Sequence, residues 1–333
     1  MSTLEATVDM MERLSEENLV KVQYVTRQLL MTQENGRTQE NIMTKQRFLE
    51  ELELSRQQAN AGRYRDAQEV VNDIRRGGCI KMISDSFDME SEAIITPSSF
   101  FGEKGKICDI AIATFSREIF PAVLKLFENE KIGEMKAANR IKPVYLLDVN
   151  NLKIAFYLSE IGASLSGTDI IEVNWMTGAK KFILFGSAGS LDKETTKGKY
   201  VIPYEAYRDE GMSYHYASPK DYIQIKNAEV MENIFKALEL PYVMGKVWTT
   251  DAIYRETRNL VEKRKSEGCI AVEMELAGMQ AVCDFYNIEL YDFLVTGDIV
   301  DQLEYTSEGL HDANHNLDKF YVALKIAEMI NKG

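Results

Sequence analysis

Apolar positions along this chain recur with two different periods, and the change of period marks a change of architecture. From residue 1 to about residue 78 they fall at helical spacing. Leu19, Val22, Val25, Leu29 and Leu30 form one stripe, a polar break covers Thr32 to Asn41, and Phe48, Leu49, Leu52 and Leu54 form a second. A third short helix is expected over Tyr64 to Ile74, between the Asn60-Ala61-Gly62 punctuation and a stop at Gly77-Gly78. After a linker and lead-in at 79–106, apolar runs of strand length alternate with amphipathic stretches. Strands are expected over Ile107 to Thr114, Val144 to Val149, Lys153 to Ser159, Lys181 to Phe185, Lys199 to Tyr207, Val243 to Thr249, Ile270 to Val272 and Tyr291 to Thr296. Helices are expected over Glu118 to Phe127, from Ser166 or Thr168 to Gly178, and over Asn227 to Leu238, Leu276 to Tyr286 and Leu317 to Ile330. The alternation predicts an α/β domain at 107–333, preceded by a small all-α segment at 1–78.

Composition narrows the function classes. At 333 residues, 45% of them hydrophobic, the chain can fill the core of one large domain and carry an appendage. A formal net charge of −13 and a pI near 4.9 argue against a general binder of nucleic acid or anionic membrane. Cys79, Cys108, Cys269 and Cys283 are scattered without paired metal-ligand spacing, as suits reduced thiols in a cytoplasmic protein. The amino terminus is acidic and amphipathic, and no run reaches about 18 apolar residues, so neither a signal peptide nor a membrane span is expected.

Candidate chemistry concentrates between Cys269 and Asp301. In an extended chain Glu273 and Glu275 point one way and Met274 the other, so the two acids can grip a vicinal diol. Equally, they can be acids in the first turn of a helix, answering its dipole. Asp298 follows the next strand, at the carboxyl end where α/β proteins place ligands. Upstream, Gly186-Ser187-Ala188-Gly189 follows a strand. Read as a turn, it lets backbone N–H groups approach an anion or a sugar, although such runs are also ordinary tight turns. His311 and His315 are four apart, but with no zincin glutamate or third ligand in view no metal site is expected. His215 reads as a structural or interface histidine.

AVEMELAGM, with GSAGSL upstream at Gly186 to Leu191 and TGD ending at Asp298, resembles the signature set of the nucleoside phosphorylase/nucleosidase superfamily, in the right order over roughly residues 88 to 333. That superfamily includes the hexameric purine nucleoside phosphorylases, the uridine phosphorylases and the methylthioadenosine nucleosidases. The resemblance implies a phosphorylase/hydrolase-like central mixed sheet flanked by helices, and a nucleoside phosphorylase, a pentosyltransferase, that converts a ribonucleoside and phosphate to base and ribose 1-phosphate. It implies Arg117, Arg140, Gly186 and Ser187 as the phosphate site, with Arg140 donated by a neighbouring subunit of a homo-oligomer, dimer-based and in the extreme a hexamer. Glu273, Met274 and Glu275 would hold the ribose; Ala188, Gly189, Ile253 and Tyr254 would face the base; and Asp298 would be the catalytic acid, directed at a purine. Inorganic phosphate would be a co-substrate, with no cofactor.

Four features keep alternatives open. The arginine expected two residues before Gly186 is Leu184, which favours a nucleosidase acting on methylthioadenosine or a related nucleoside. Ile253 stands where the purine enzymes carry Phe, and Arg208 to Tyr216, RDEGMSYHY, resembles a segment of uridine-phosphorylase-like members. FLEELELSRQQANAGRYRDAQEVVNDIRRG resembles the tail of small type II antitoxins, so the segment at 1–78 is either a partner-binding arm or an oligomerisation cap, and a non-enzymatic nucleoside sensor is a further reading.

Overall fold

The computed structural model describes residues 90–300 and 305–331, together with Ile83, Phe87 and Asp88. The helices expected over 1–78, and the partner-binding or oligomerisation role attached to them, lie outside the described residues. Ten strands are described: β1 (Ile110–Thr114), β2 (Asn129–Ala137), β3 (Arg140–Val149), β4 (Leu152–Leu158), β5 (Lys181–Ser190), β6 (Tyr200–Asp209), β7 (Tyr222–Gln224), β8 (Tyr242–Thr250), β9 (Cys269–Glu273) and β10 (Glu289–Ile299). The α-helices are α1 (Ser98–Phe101), α2 (Ile119–Leu126), α3 (Ala163–Thr177), α4 (Lys193–Thr196), α5 (Ser213–Tyr216), α6 (Ala228–Ala237), α7 (Arg258–Ser266), α8 (Leu276–Phe285), α9 (Leu310–His315) and α10 (Asp318–Asn331).

Strand β5 is the hub. It pairs in parallel with β1 and β10 and in antiparallel with β9. β10 pairs with β6, β6 with β8 and β8 with β9, so five strands close on themselves into a ring. From β1 the sheet continues outward through β4 and β3 to β2, and β7 adds to β6. This is the mixed sheet flanked by helices that the alternation and the resemblance called for.

Alternation along β1 and β5 divides the core in two. Ala111, Ala113, Phe182 and Leu184 face a cluster shared with Ile170 and Val173 of α3 and Ala277 and Val282 of α8. Ile110, Ile112, Ile183 and Phe185 face the opposite cluster, with Val123 of α2, Phe235 of α6 and Phe320 of α10. β1 is buried along its whole length, which is why it reads as a continuous apolar run.

Three departures from the sequence expectations bear on the parts of the fold around the site. β5 runs straight through Gly186-Ser187-Ala188-Gly189, so that motif is strand and not turn, and neither glycine has a positive φ. β2 was not anticipated: it is an edge strand written NEKIGEMKA, mostly polar on both faces. α3 begins at Ala163 behind Gly162, whose φ of 101° suits glycine, so Ser166 and Thr168 lie inside the helix and bond back to Gly162 and Ser164 carbonyls. Its stop at Gly178, φ 82°, is as expected.

Candidate active site

The parallel strands β4, β1, β5 and β10 end at one edge of the sheet, and most of the chemistry-bearing residues collect there. β1 leads into Ser116 and Arg117, β4 into Glu160 and Gly162, β5 carries Ser187 and Gly189, and β10 carries Asp298. Gly189 is the pivot: it pairs with Asp298 on one side and with Val272 on the other. The register of β10 slips between Thr296 and Asp298, a bulge that re-aims the strand where the acid sits. A side chain at Gly189 would begin 2.7 Å from Val300 Cγ2, 3.0 Å from Val272 Cγ1 and 3.5 Å from Asp298 Oδ1. Glu273 follows Val272 directly, so the acids of β9 and β10 flank one glycine.

The two glutamates of the VEMEL run have different work. Glu273 is buried; its Oε2 accepts from the backbone N–H of Glu275 and of Leu276, both at 2.7 Å. The Thr249 hydroxyl donates to Glu273 Oε1 and accepts from Ala277 N–H at 3.1 Å. Glu273 and Thr249 therefore satisfy the open N–H groups at the start of α8. The helix-start alternative raised for this pair is realised by Glu273.

Glu275 instead reaches across to the β4–α3 loop, where Gly162 N–H donates to its Oε1 at 2.6 Å, and Met274 N–H donates to Oε2 at 3.3 Å. Burial is the main cause that raises both carboxyls, Glu273 to about 7 and Glu275 to about 8, and mutual repulsion adds to it at Glu275. Two further acids deepen the effect. Glu210, buried beyond β6, repels Glu273, and its Oε1 has no hydrogen-bond partner. Asp292 of β10 is raised well above its ordinary value by burial and then by Glu273 and Glu275, and its Oδ2 is also unpartnered.

Asp298 is raised by burial, while the Tyr305 hydroxyl donates to it and partly offsets the shift. Glu256, beyond β8, is pushed up to about 7 by its own burial and by Asp298. None of Glu210, Thr249, Glu256, Asp292, Gly162 and Tyr305 was singled out from the sequence. Apart from Asp292, which shares β10 with Asp298, each reaches the site from a distant segment, and no local spacing announces it.

Among the residues expected to hold phosphate, the Ser187 hydroxyl donates to Asn314 Oδ1 of α9. Arg117 is exposed just past β1. Arg140 stands at the start of β3 with its Nε 3.5 Å from Glu160 Oε1, beside the buried Lys142–Asp169 pair. Leu184 is wholly buried in the core cluster behind β5. Ala188 is buried beside Ser187, and Met274 is half-buried between the two glutamates. Ile253 and Tyr254 lie in a 3-10 turn after β8, 51% and 96% exposed, so Tyr254 is almost uncovered by the described residues. Arg208 of β6, in the RDEGMSYHY segment, is structural: it donates to Ser213 Oγ at 2.8 Å and Ser218 O at 2.7 Å and lies over the Tyr214 ring. His215 is exposed.

A closed mixed sheet with paired acids at the end of β9 and a further acid on a bulge of β10 defines a recognisable class. The model of the Phosphorylase superfamily matches residues 109–327, and the chain belongs to that family. It is 29% identical over 185 residues to the uncharacterised protein R802 of Acanthamoeba polyphaga mimivirus, covering 51% of this chain and 72% of that one. It is 25% identical over 193 residues to a DeoD-type purine nucleoside phosphorylase of Buchnera aphidicola, covering 56% of this chain and 80% of that enzyme. Among solved structures, the 5'-methylthioadenosine/S-adenosyl homocysteine nucleosidase of Campylobacter jejuni superposes with a TM-score of 0.54 at 18% identity, covering 68% of this chain and all of that one, a likeness of fold.

Proposed function

We propose that this chain cleaves the N-glycosidic bond of a purine ribonucleoside with inorganic phosphate, releasing the base and ribose 1-phosphate. The observation that carries the reading is Asp298: it sits on a β-bulge against Gly189, with burial favouring the protonated form that a donor to N7 of a leaving purine requires. Breaking the C1′–N9 bond leaves positive charge on the sugar and negative charge on the base, so the site must stabilise both. A phosphate oxygen forms the new bond to C1′. The electron pair of the broken bond goes to the base, which takes the Asp298 proton at N7.

Glu275 holds the ribose 2′- and 3′-hydroxyls, with Met274 beneath the sugar, and Glu273 fixes the chain that carries both. Ser187, the Gly186 backbone and Arg117 receive the phosphate, and Arg140 completes the site of a neighbouring subunit, so the active unit is at least a dimer. Ala188, Gly189 and Ile253 line the base, and Tyr254 is exposed beside Ile253. The relationship to a DeoD-type purine nucleoside phosphorylase supports this direction.

One observation favours a second reading, hydrolysis. Leu184 occupies core where the phosphorylases offer a phosphate-binding arginine, and a dianion loses one bidentate partner there. An activity panel of inosine, adenosine, methylthioadenosine and uridine, with phosphate present or withheld, separates the two. Phosphate-dependent release of purine with ribose 1-phosphate as co-product is the expected result, and release at equal rates without phosphate establishes the nucleosidase. Asp298→Asn should lower turnover about 10²–10⁴-fold with inosine binding changed little.

A further inference from the structure

Two histidines on the surface helix α9 meet a glutamate from a different part of the chain. His311 and His315 are one helical turn apart, with ring centroids 4.9 Å from each other. Glu118, immediately before α2, presents its Oε1 3.8 Å from His311 Nε2 and 3.7 Å from His315 Nε2. One ligand atom from each of the three lies within 4.8 Å of the others. We propose that Glu118, His311 and His315 form a binding site for a divalent transition-metal ion of the zinc class, built from residues other than those assigned to the glycosidic-bond chemistry above.

Distances and donor types both point there. Bonds of about 2.0–2.1 Å to nitrogen and 2.0–2.2 Å to oxygen place tetrahedral ligand atoms about 3.3 Å apart. The two glutamate–histidine distances need to close by about half an ångström, and the two histidines, within 4.8 Å of each other, by up to about 1.5 Å. Glu118 and His311 are exposed and free to do so. The remaining nitrogen of His315 is also provided for. With a metal on Nε2, the His315 ring proton sits on Nδ1, 2.7 Å from the Oγ of buried Ser116, which orients the ring. His311 Nδ1 lies 3.7 Å from Asp312 Oδ1. Two imidazoles and one carboxylate suit Zn²⁺, Co²⁺ or Ni²⁺; Mg²⁺ and Ca²⁺ prefer all-oxygen sites. Three protein ligands leave at least one position open to water or an anion.

The site ties α9 to α2. Because Asn314 of α9 also receives the Ser187 hydroxyl, an occupied site would hold the helix that braces Ser187. The test is titration of the metal-stripped full chain with Zn²⁺ by calorimetry, and with Co²⁺ followed by its visible absorption. One ion per chain is expected, with the absorption of a tetrahedral or five-coordinate site. His311→Ala and Glu118→Gln, both surface changes, should weaken Zn²⁺ binding at least 10-fold, while His215→Ala, the remaining histidine, should leave it unchanged. The proposal is overturned if the wild-type chain takes up no Zn²⁺, or if its affinity is the same in His311→Ala, or if His215→Ala weakens binding as much.

Discussion

Glu273 and Glu275 are separated by one residue and carry different burdens. Glu273 spends both oxygens on Thr249 and on two N–H groups of the α8 start, so replacing it with Ala strands buried donors. Each such group costs about 1–3 kcal/mol. Glu275 gives up one strong contact, from Gly162, and its truncation frees a loop rather than a helix start. Glu273→Ala is therefore expected to lower the unfolding free energy by about 2–4 kcal/mol. Glu275→Ala should cost less than half as much yet raise the KM for nucleoside at least 10-fold. Denaturant unfolding and steady-state kinetics on both variants check this, and the assignment is reversed if Glu273→Ala proves the milder change in stability.

At the scale of elements, the GSAG stretch shows what the sequence carried and what it withheld. Its place in the site was legible, because small residues after a buried strand let other groups approach. Its conformation was not, since nothing local distinguishes a glycine turn from a strand whose parallel neighbours come from residues 110–114 and 289–299. The β3–β4 hairpin was legible for the opposite reason: its strands were expected at Val144 to Val149 and Lys153 to Ser159, and Asn150 and Asn151 between them tolerate φ of 54° and 64°. β2 was not, being an edge strand without an apolar face. Glu273, Glu275 and Asp298 were visible as acids at strand ends. Glu210, Thr249, Glu256 and Glu118 become neighbours only when the sheet closes and the helices dock.

The two glycines of that strand separate sterics from chemistry. An added methyl at Gly186 meets Leu294 at 3.5 Å and Phe115 at 3.6 Å, ordinary contacts, whereas at Gly189 it meets Val300 at 2.7 Å. Gly189→Ala must displace the Val300 side chain just past β10 and crowd Val272 and Asp298, at a cost of about 1–3 kcal/mol. Gly186→Ala should unfold within about 0.5 kcal/mol of the wild type, as unstrained substitutions do. Thermal unfolding of the pair reads the difference, and equal losses would show that Val300 yields without cost.

For the molecule as a whole, the buried acids set how stability depends on pH. Burial raises Glu273 to about 7 and Glu275 to about 8, lifts Asp292 well above its ordinary value, and moves Glu210 and Asp298 in the same direction. A carboxyl whose folded pKa lies above its unfolded value contributes stability that is complete below the unfolded value, near 4–4.5, and is lost as pH rises through the folded one. The ligand-free protein is therefore expected to lose stability steadily from pH 5 to pH 8. Lys319 opposes this only at the top of the range, because burial lowers it to about 8 and its penalty fades as it deprotonates. A net charge of −13 also grows more negative with pH, but repulsion among exposed charges is screened by salt, and buried carboxyls are screened far less. Melting temperatures measured from pH 5 to pH 8 at low and high salt distinguish the sources. The fall should persist at 0.5 M salt and be shallower in Asp292→Asn, which removes one charge from the group while leaving its shape. A melting temperature flat across that range, or a slope that vanishes in salt, would mean that the carboxyls around Glu273 do not share a common buried environment.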